Sequence, residues 1–144
     1  MTKANNIYSM PNVGCMLGTA YQTLVSQLQE ALTNAGLDIT VSEYLILRTL
    51  YDRDGVQQCE IAETLGKDKA AVCRCIRKML SKGLVRSENV SHKCMRIFVD
   101  NEGQRIRDAV LAIGTERHQA LQHLLTPEEM TAFANILRKI IDSQ

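Results

Sequence analysis

Apolar residues recur every three or four positions at Val13, Met16, Leu17, Ala20, Leu24, Leu28, Ala31, Leu32 and Ala35. That spacing predicts one long helix with a wide apolar stripe, and Gly36 follows as a stop signal. Thr40 and Glu43 stand three apart ahead of Tyr44, Leu45, Leu47 and Leu50. This is a capping-box pattern, so a second helix is expected to start near Val41. Asp54-Gly55 marks a turn. A short helix over 58–65 carries Ile61, Ala62 and Leu65 on its apolar side and ends at Gly66. Asp68 then caps a helix over 69–82, which Gly83 closes. Two helices joined by so short a glycine-containing turn form a helix-turn-helix.

Beyond Gly83 the period changes. Leu84–Glu88 and Met95–Val99 read as two strands, with the polar link 89–93 as a hairpin tip, or wing. Asp100 is placed to cap a long helix carrying Ile106, Ala109, Val110, Ile113, Ala120, Leu121 and Leu124. Thr126-Pro127-Glu128-Glu129 starts the last helix, with Met130, Phe133, Ala134, Leu137, Ile140 and Ile141 as its stripe. The fold class is therefore mainly α with a small β-hairpin wing. Residues 37–99 make a winged helix-turn-helix lobe, and residues 1–36 and 100–144 a helical dimerisation region. The long terminal helices lack a partner in so small a core, and their stripes predict a two-fold homodimer.

Composition narrows the class further. Aromatic residues are 4% of the 144-residue chain, with no Trp. No apolar run reaches membrane-spanning length, and the first residues lack a signal-peptide pattern, so a cytoplasmic protein is expected. In that compartment the five cysteines are read as reduced thiols. The net charge of +1 hides a strong segregation. Residues 67–96 hold nine Lys and Arg against Asp68 and Glu88, a local +7 set against −6 for the rest. A basic window on an acidic body is either a solvated face or an electrostatic footprint for nucleic acid. Its coincidence with the helix-turn-helix favours the second.

On the helix over 69–82, Val72, Ile76, Met79 and Leu80 are expected to face the core. Lys69, Ala70, Ala71, Cys73, Arg74, Arg77 and Lys78 are left to meet double-stranded DNA. Arg74 is the first candidate for a base edge, because a guanidinium pairs bidentately with guanine. Arg77 and Lys78, further along, suit phosphates. His92 and Lys93 at the hairpin tip would reach the flanking groove.

LDITVSEYLILRTL, QCEIAETLGKDKAAVCRCIRKMLSKGLV and VDNEG together resemble the MarR family of transcription regulators, over nearly the whole chain. The block from Glu60 to Val85 carries the most specific signatures. The resemblance implies a repressor released by a small-molecule effector or by thiol oxidation. Two departures stand out. Ala70, Ala71 and Cys73 replace the usual Ser or Thr, and Ser91-His92-Lys93 replaces the wing's Asp-x-Arg. An effector pocket between the dimerisation helices and the lobe would draw on Met16, Tyr21, Tyr44 and Leu47, each of which fits ordinary packing equally well. Cys15, near the start of the first helix, stands close to the position of the reactive cysteine in the family's peroxide sensors, where a thiolate is favoured. It is otherwise an idle thiol, while Cys73 is a second redox candidate because it looks out at DNA.

No metal site or cofactor is expected. Cys73 and Cys75 point about 200° apart on a helix, and His118 and His123 are poorly matched too. Glycine-rich phosphate loops, nucleophile elbows and paired acids after a strand are lacking, which argues against an enzyme. The competing reading is a winged helix used for protein contacts without sequence-specific DNA binding. The favoured one is a homodimer that presents two recognition helices to a pseudo-palindromic operator, with half-sites about one helical turn apart.

Overall fold

The computed structural model describes residues 12–91 and 94–144. Its elements are α1 (Val13–Asn34), α2 (Val41–Asp52), β1 (Val56–Gln57), α3 (Gln58–Leu65), α4 (Lys69–Ser81), β2 (Val85–Ser91), β3 (Cys94–Val99), α5 (Asn101–Arg105), α6 (Arg107–Leu124) and α7 (Pro127–Ile141). The helix starts follow their caps. Thr40 and Thr126 each close a full capping box with Glu43 and Glu129, and the Asp68 side chain accepts from Ala71 N. The mainly helical architecture with a winged helix-turn-helix is as the sequence implies.

The core gathers Tyr44, Ile46, Leu47 and Leu50 of α2 with Ile61 and Ala62 of α3 and Val72, Ile76 and Met79 of α4. Leu84, Val85, Ile97 and Val99 close it from the sheet side, and Val110 and Ile113 from α6. Leu80 departs from expectation, for it is 40% exposed. One residue on from Met79, it is turned about 100° out of the core line. By contrast α1 contributes only Leu32 to the buried set, and α7 contributes no residue.

The sheet has three strands in the order β1-β3-β2, antiparallel throughout. Strand β1, two residues long, was not expected. It forms because Gly55 turns the chain at φ +72, where its N–H donates to Ile97 O at 3.0 Å. A Cβ there would run into the Phe98 ring. The wing is also longer than its sequence suggests, since β2 runs on to Ser91 through an irregularity between Asn89 and Ser91.

The helix expected to run unbroken from Asp100 is broken at Ile106 (φ −92, ψ 0), which divides α5 from α6. The first piece is tied to the base of the wing. Asp100 N donates to Leu84 O and Glu102 N to Gly83 O. Gly103 lies so close to the Leu84 carbonyl that a Cβ would overlap it. After the break α6 packs along α1 and α2.

Tyr51 of α2 completes this joint. Its hydroxyl donates to Gly103 O at 2.6 Å, and burial pushes its pKa up to about 12 despite the nearby Arg107 guanidinium. The raised value means that the unfolded chain loses this proton first, near pH 10. Stability from Tyr51 is therefore full below that pH and is lost as the pH climbs towards 12. Ultraviolet titration of the phenolates is expected to show a late step that Tyr51→Phe removes. Denaturant melts should show Tyr51→Phe costing about 1 kcal/mol and Gly103→Ala about 1–3 kcal/mol by overpacking.

Candidate nucleic-acid interface

Helix α4 carries the candidate groups. With Val72, Ile76 and Met79 buried, Ala70, Arg74, Arg77 and Ser81 follow one another at i, i+4, i+7 and i+11 on the opposite side, and all four are exposed. Lys69 and Lys78 flank this line and are also exposed, while Ala71 and Cys73 are half-buried. The turn that holds α4 against α3 is set by Gly66, left-handed at φ 61, and by the Asp68 cap. Four of the seven α4 candidates (Lys69, Arg74, Arg77 and Lys78) are cations, and none of the four forms a side-chain hydrogen bond or ion pair among the described residues.

The basic window is not all available, however. Lys82 donates to Glu43 Oε1 at 2.9 Å and to Asp38 O at 3.1 Å. Arg86 donates to Val99 O at 2.8 Å and to Glu88 Oε1 at 3.1 Å, with its guanidinium 5.0 Å from the Phe98 centroid. Arg96 donates to Gly55 O at 2.8 Å. Three of the nine cations counted from sequence thus hold the lobe together, and the unpartnered charge concentrates on α4. His92 and Lys93 lie outside the described residues. Next to them, Val90 and Met95 are 60% and 50% exposed, so the hairpin's outer end carries apolar as well as polar groups.

The four pocket candidates are not brought together within one chain. Tyr44 and Leu47 belong to the core, while Met16 and Tyr21 are exposed on α1. Sequence reasoning missed Arg48 instead. Its Nη1 donates to Tyr44 Oη at 3.0 Å, and its Nε is buried without a partner. Arg48 lines a cavity of about 300 Å³ between α2 and α3, with Leu45, Val56 and Leu65 as apolar lining and Asp52, Arg53 and Glu60 as charged lining. The only signal for it in sequence was a lone cation inside an apolar helix.

Cys15 and Cys59 are exposed. Cys75 is half-buried against the core, and burial, helped by the Glu43 carboxylate, raises its thiol pKa. Among the described residues no group of His, Cys, Asp and Glu is arranged to hold a metal ion. Nor is any described helix long and apolar enough to cross a membrane.

The MarR family model matches residues 39–89, from the end of the α1–α2 connection through most of β2. The transcriptional regulator HosA of Escherichia coli O157:H7 is 29% identical over 108 residues, covering 74% of this chain and 80% of its own. Over residues 39–89 the chain is similar to the MarR family of transcriptional regulators. Solved MarR-type folds are similar in shape across almost the whole length. The S. aureus MepR–DNA complex superposes with a TM-score of 0.81 at 23% identity, covering 89% of this chain and 94% of that one. Bordetella bronchiseptica BpsR, whose DNA binding is regulated by 6-hydroxynicotinic acid, gives 0.79 at 20% identity, covering 90% and 94%.

The division of labour among the cations of this MarR-like lobe has a measurable consequence. Arg96→Met is expected to lower stability by about 1–2 kcal/mol through the lost bond to Gly55 O. Arg77→Met should leave stability within about 0.5 kcal/mol. Chemical denaturation of the two variants side by side checks the assignment.

Proposed function

We propose that the chain is a cytoplasmic, homodimeric, sequence-specific DNA-binding repressor rather than an enzyme. Residues 37–99 form its DNA-binding lobe, and 1–36 with 100–144 its dimerisation region. The observation that carries the reading is the exposed line Ala70–Arg74–Arg77 on α4, flanked by Lys69 and Lys78, at the second helix of a helix-turn-helix. The N-terminal half of such a helix meets base edges, so Arg74 reads guanine, while Arg77 and Lys78 hold phosphates. Ala70, Ala71 and Cys73 let the helix approach closely, and His92 and Lys93 contact the flanks. The MepR–DNA complex supports the same use of this fold. A winged helix serving only protein contacts is not favoured, because it gives no role to four unpaired cations on one helix.

A second copy covers the apolar faces of α1 and α7. Leu24, Leu124, Ile136 and Ile141 are 43–77% exposed in one chain. A hollow of about 570 Å³ between α1, α6 and α7 is lined mainly by Leu24, Leu121, Leu124, Phe133 and Ile136. The releasing signal is a small-molecule effector at the Arg48 cavity, where the Arg48 and Arg53 guanidinium groups and the Asp52 and Glu60 carboxylates stand among the apolar Leu45, Val56 and Leu65. Regulation of BpsR by 6-hydroxynicotinic acid supports an effector of this class. Thiol oxidation at Cys15 or Cys73 is the competing signal, and peroxide treatment separates the two.

Titration with the intergenic DNA upstream of the chain's own gene, against a scrambled duplex, tests the function. Binding should be selective and should weaken steeply with salt. Arg74→Ala is expected to lose about 1–3 kcal/mol of discrimination at one base position per half-site while the dimer persists in sedimentation. Lys78→Met should lower affinity evenly across sequences and cut the salt slope by about two, one phosphate per protomer. Full selectivity in the Arg74 variant would overturn the assignment.

A further inference from the structure

A chain of polar contacts connects α1 to the far end of α4 by way of the α1–α2 connection and the first turn of α2. Gln29 of α1 is half-buried and bonds the α1–α2 connection twice. Its Nε2 donates to Ile39 O at 3.1 Å, and its Oε1 accepts from Val41 N at 3.1 Å. Between those two residues, Thr40 N donates to Glu43 Oε1 at 2.9 Å. The same oxygen accepts from Lys82 Nζ, the residue that caps the C-terminus of α4. Lys82 Nζ also donates to Asp38 O, back on the connection.

Glu43 is 1% exposed, and its Oε2 is buried without a partner. A carboxylate so placed is costly to hold, and an ion pair there is weak evidence for stability. What the arrangement supplies is direction. Three backbone groups at the connection and the start of α2 (Asp38 O, Ile39 O and Val41 N) are each fixed by the side chain of Gln29 on α1 or of Lys82 at the α4 C-cap. Leu32 of α1 is buried in the lobe core, and these polar bonds add a constraint on the angle at the connection.

We propose that Gln29, Glu43 and Lys82 form a positioning joint that fixes the α4 recognition helix relative to the α1 dimerisation helix. The inference rests on the dimeric DNA-binding reading and gives it a specific consequence. Two recognition helices keep register with two half-sites only if each lobe is held at a set angle to the dimer. The joint therefore governs selectivity for half-site spacing, and leaves contact with a single half-site unchanged. Gln29, Glu43 and Lys82 need not touch DNA for this.

Two measurements on the full-length dimer test it. In the first, spin labels on a ketone-bearing residue introduced at exposed Glu63 report the distance between the two lobes without DNA. Gln29→Met and Lys82→Met should broaden that distribution, whereas Glu43→Gln, which keeps the accepting Oε1, should not. In the second, duplexes obtained by selection from a random pool are rebuilt with the half-sites moved apart in single base-pair steps. The wild-type chain should prefer one spacing, and Gln29→Met should lose about tenfold in affinity at that spacing with unchanged affinity for an isolated half-site. A folded Gln29→Met dimer with a wild-type distance distribution or spacing profile overturns the joint. So does a Gln29→Met chain that fails to fold, since the residue is then structural. A wild-type chain that selects no duplex overturns the DNA-binding reading, and the distance measurement then decides the joint by itself.

Discussion

Because α2 buries Tyr44, Ile46, Leu47 and Leu50 together, the helices and strands around it have little freedom in how they lie. It touches α1, α3, α4 and α6 and is crossed by β3. Its buried side chains pack closely with those of its neighbours, and such packing tolerates shifts poorly. With Val72, Ile76 and Met79 of α4 set into that core, the exposed line on α4 has only one direction to face. The polar groups of α2 inherit the same constraint. Glu43, Arg48 and Tyr51 are carried on a helix that is mostly interior, so each has to find partners at one of its ends or edges. Glu43 finds Lys82, Tyr51 finds Gly103 O, and Arg48 finds only Tyr44.

The distribution of charge follows from this packing. A cation near the lobe's seams is drawn to a carbonyl or carboxylate that burial would otherwise leave unmet, and the cost of an unmet group is what commits it. Arg86 and Arg96 serve the sheet in this way, and Lys82 the α1–α2 connection. Helix α4 offers its outer cations no such carbonyl, because its own backbone is bonded internally. Charge left without a protein partner stays hydrated and free to exchange its counterions for phosphates. The electrostatic footprint is thus narrower than the run of basic residues, and sharper.

The repeating features of the fold were legible in sequence because they rest on period and caps. The capping boxes at Thr40 and Thr126, the stripes and the glycine stops placed the starts of α1, α2, α4 and α7 to within a residue or two. What escaped has no period. Strand β1 has two residues and exists only because Gly55 lets the chain approach Ile97 and Phe98. The break at Ile106 reflects two separate attachments, of α5 to the wing base and of α6 to α1, that no local pattern records. Leu80 has an apolar identity that sequence equates with burial, though its angular position takes it out of the core. On the candidate site, the outward identity of Arg74 and Arg77 followed from helix geometry. The diversion of Lys82, Arg86 and Arg96 did not, because their partners are distant in sequence or are backbone atoms.

The remaining apolar surface gives the proposed assembly its physical content. A helix of 15 residues with an apolar stripe and not one buried side chain, as α7 is here, gains little by folding alone in water. Isolated helices of that length are marginal even with favourable composition, and tertiary cover supplies most of their stability. The α1 stripe is in the same condition, with only Leu32 fully buried. The two faces meet at the hollow between α1, α6 and α7, so one partner surface would cover both. Formation of the terminal helices and association of two chains then become one equilibrium, as in dimers whose stability cannot be separated from protomer concentration. The separation of the two α4 helices would be set by that same apolar contact. A signal acting at Arg48 therefore has no need to reach DNA-facing residues, because a small rotation of the lobe on α1 moves α4 as a rigid part of the α2 core.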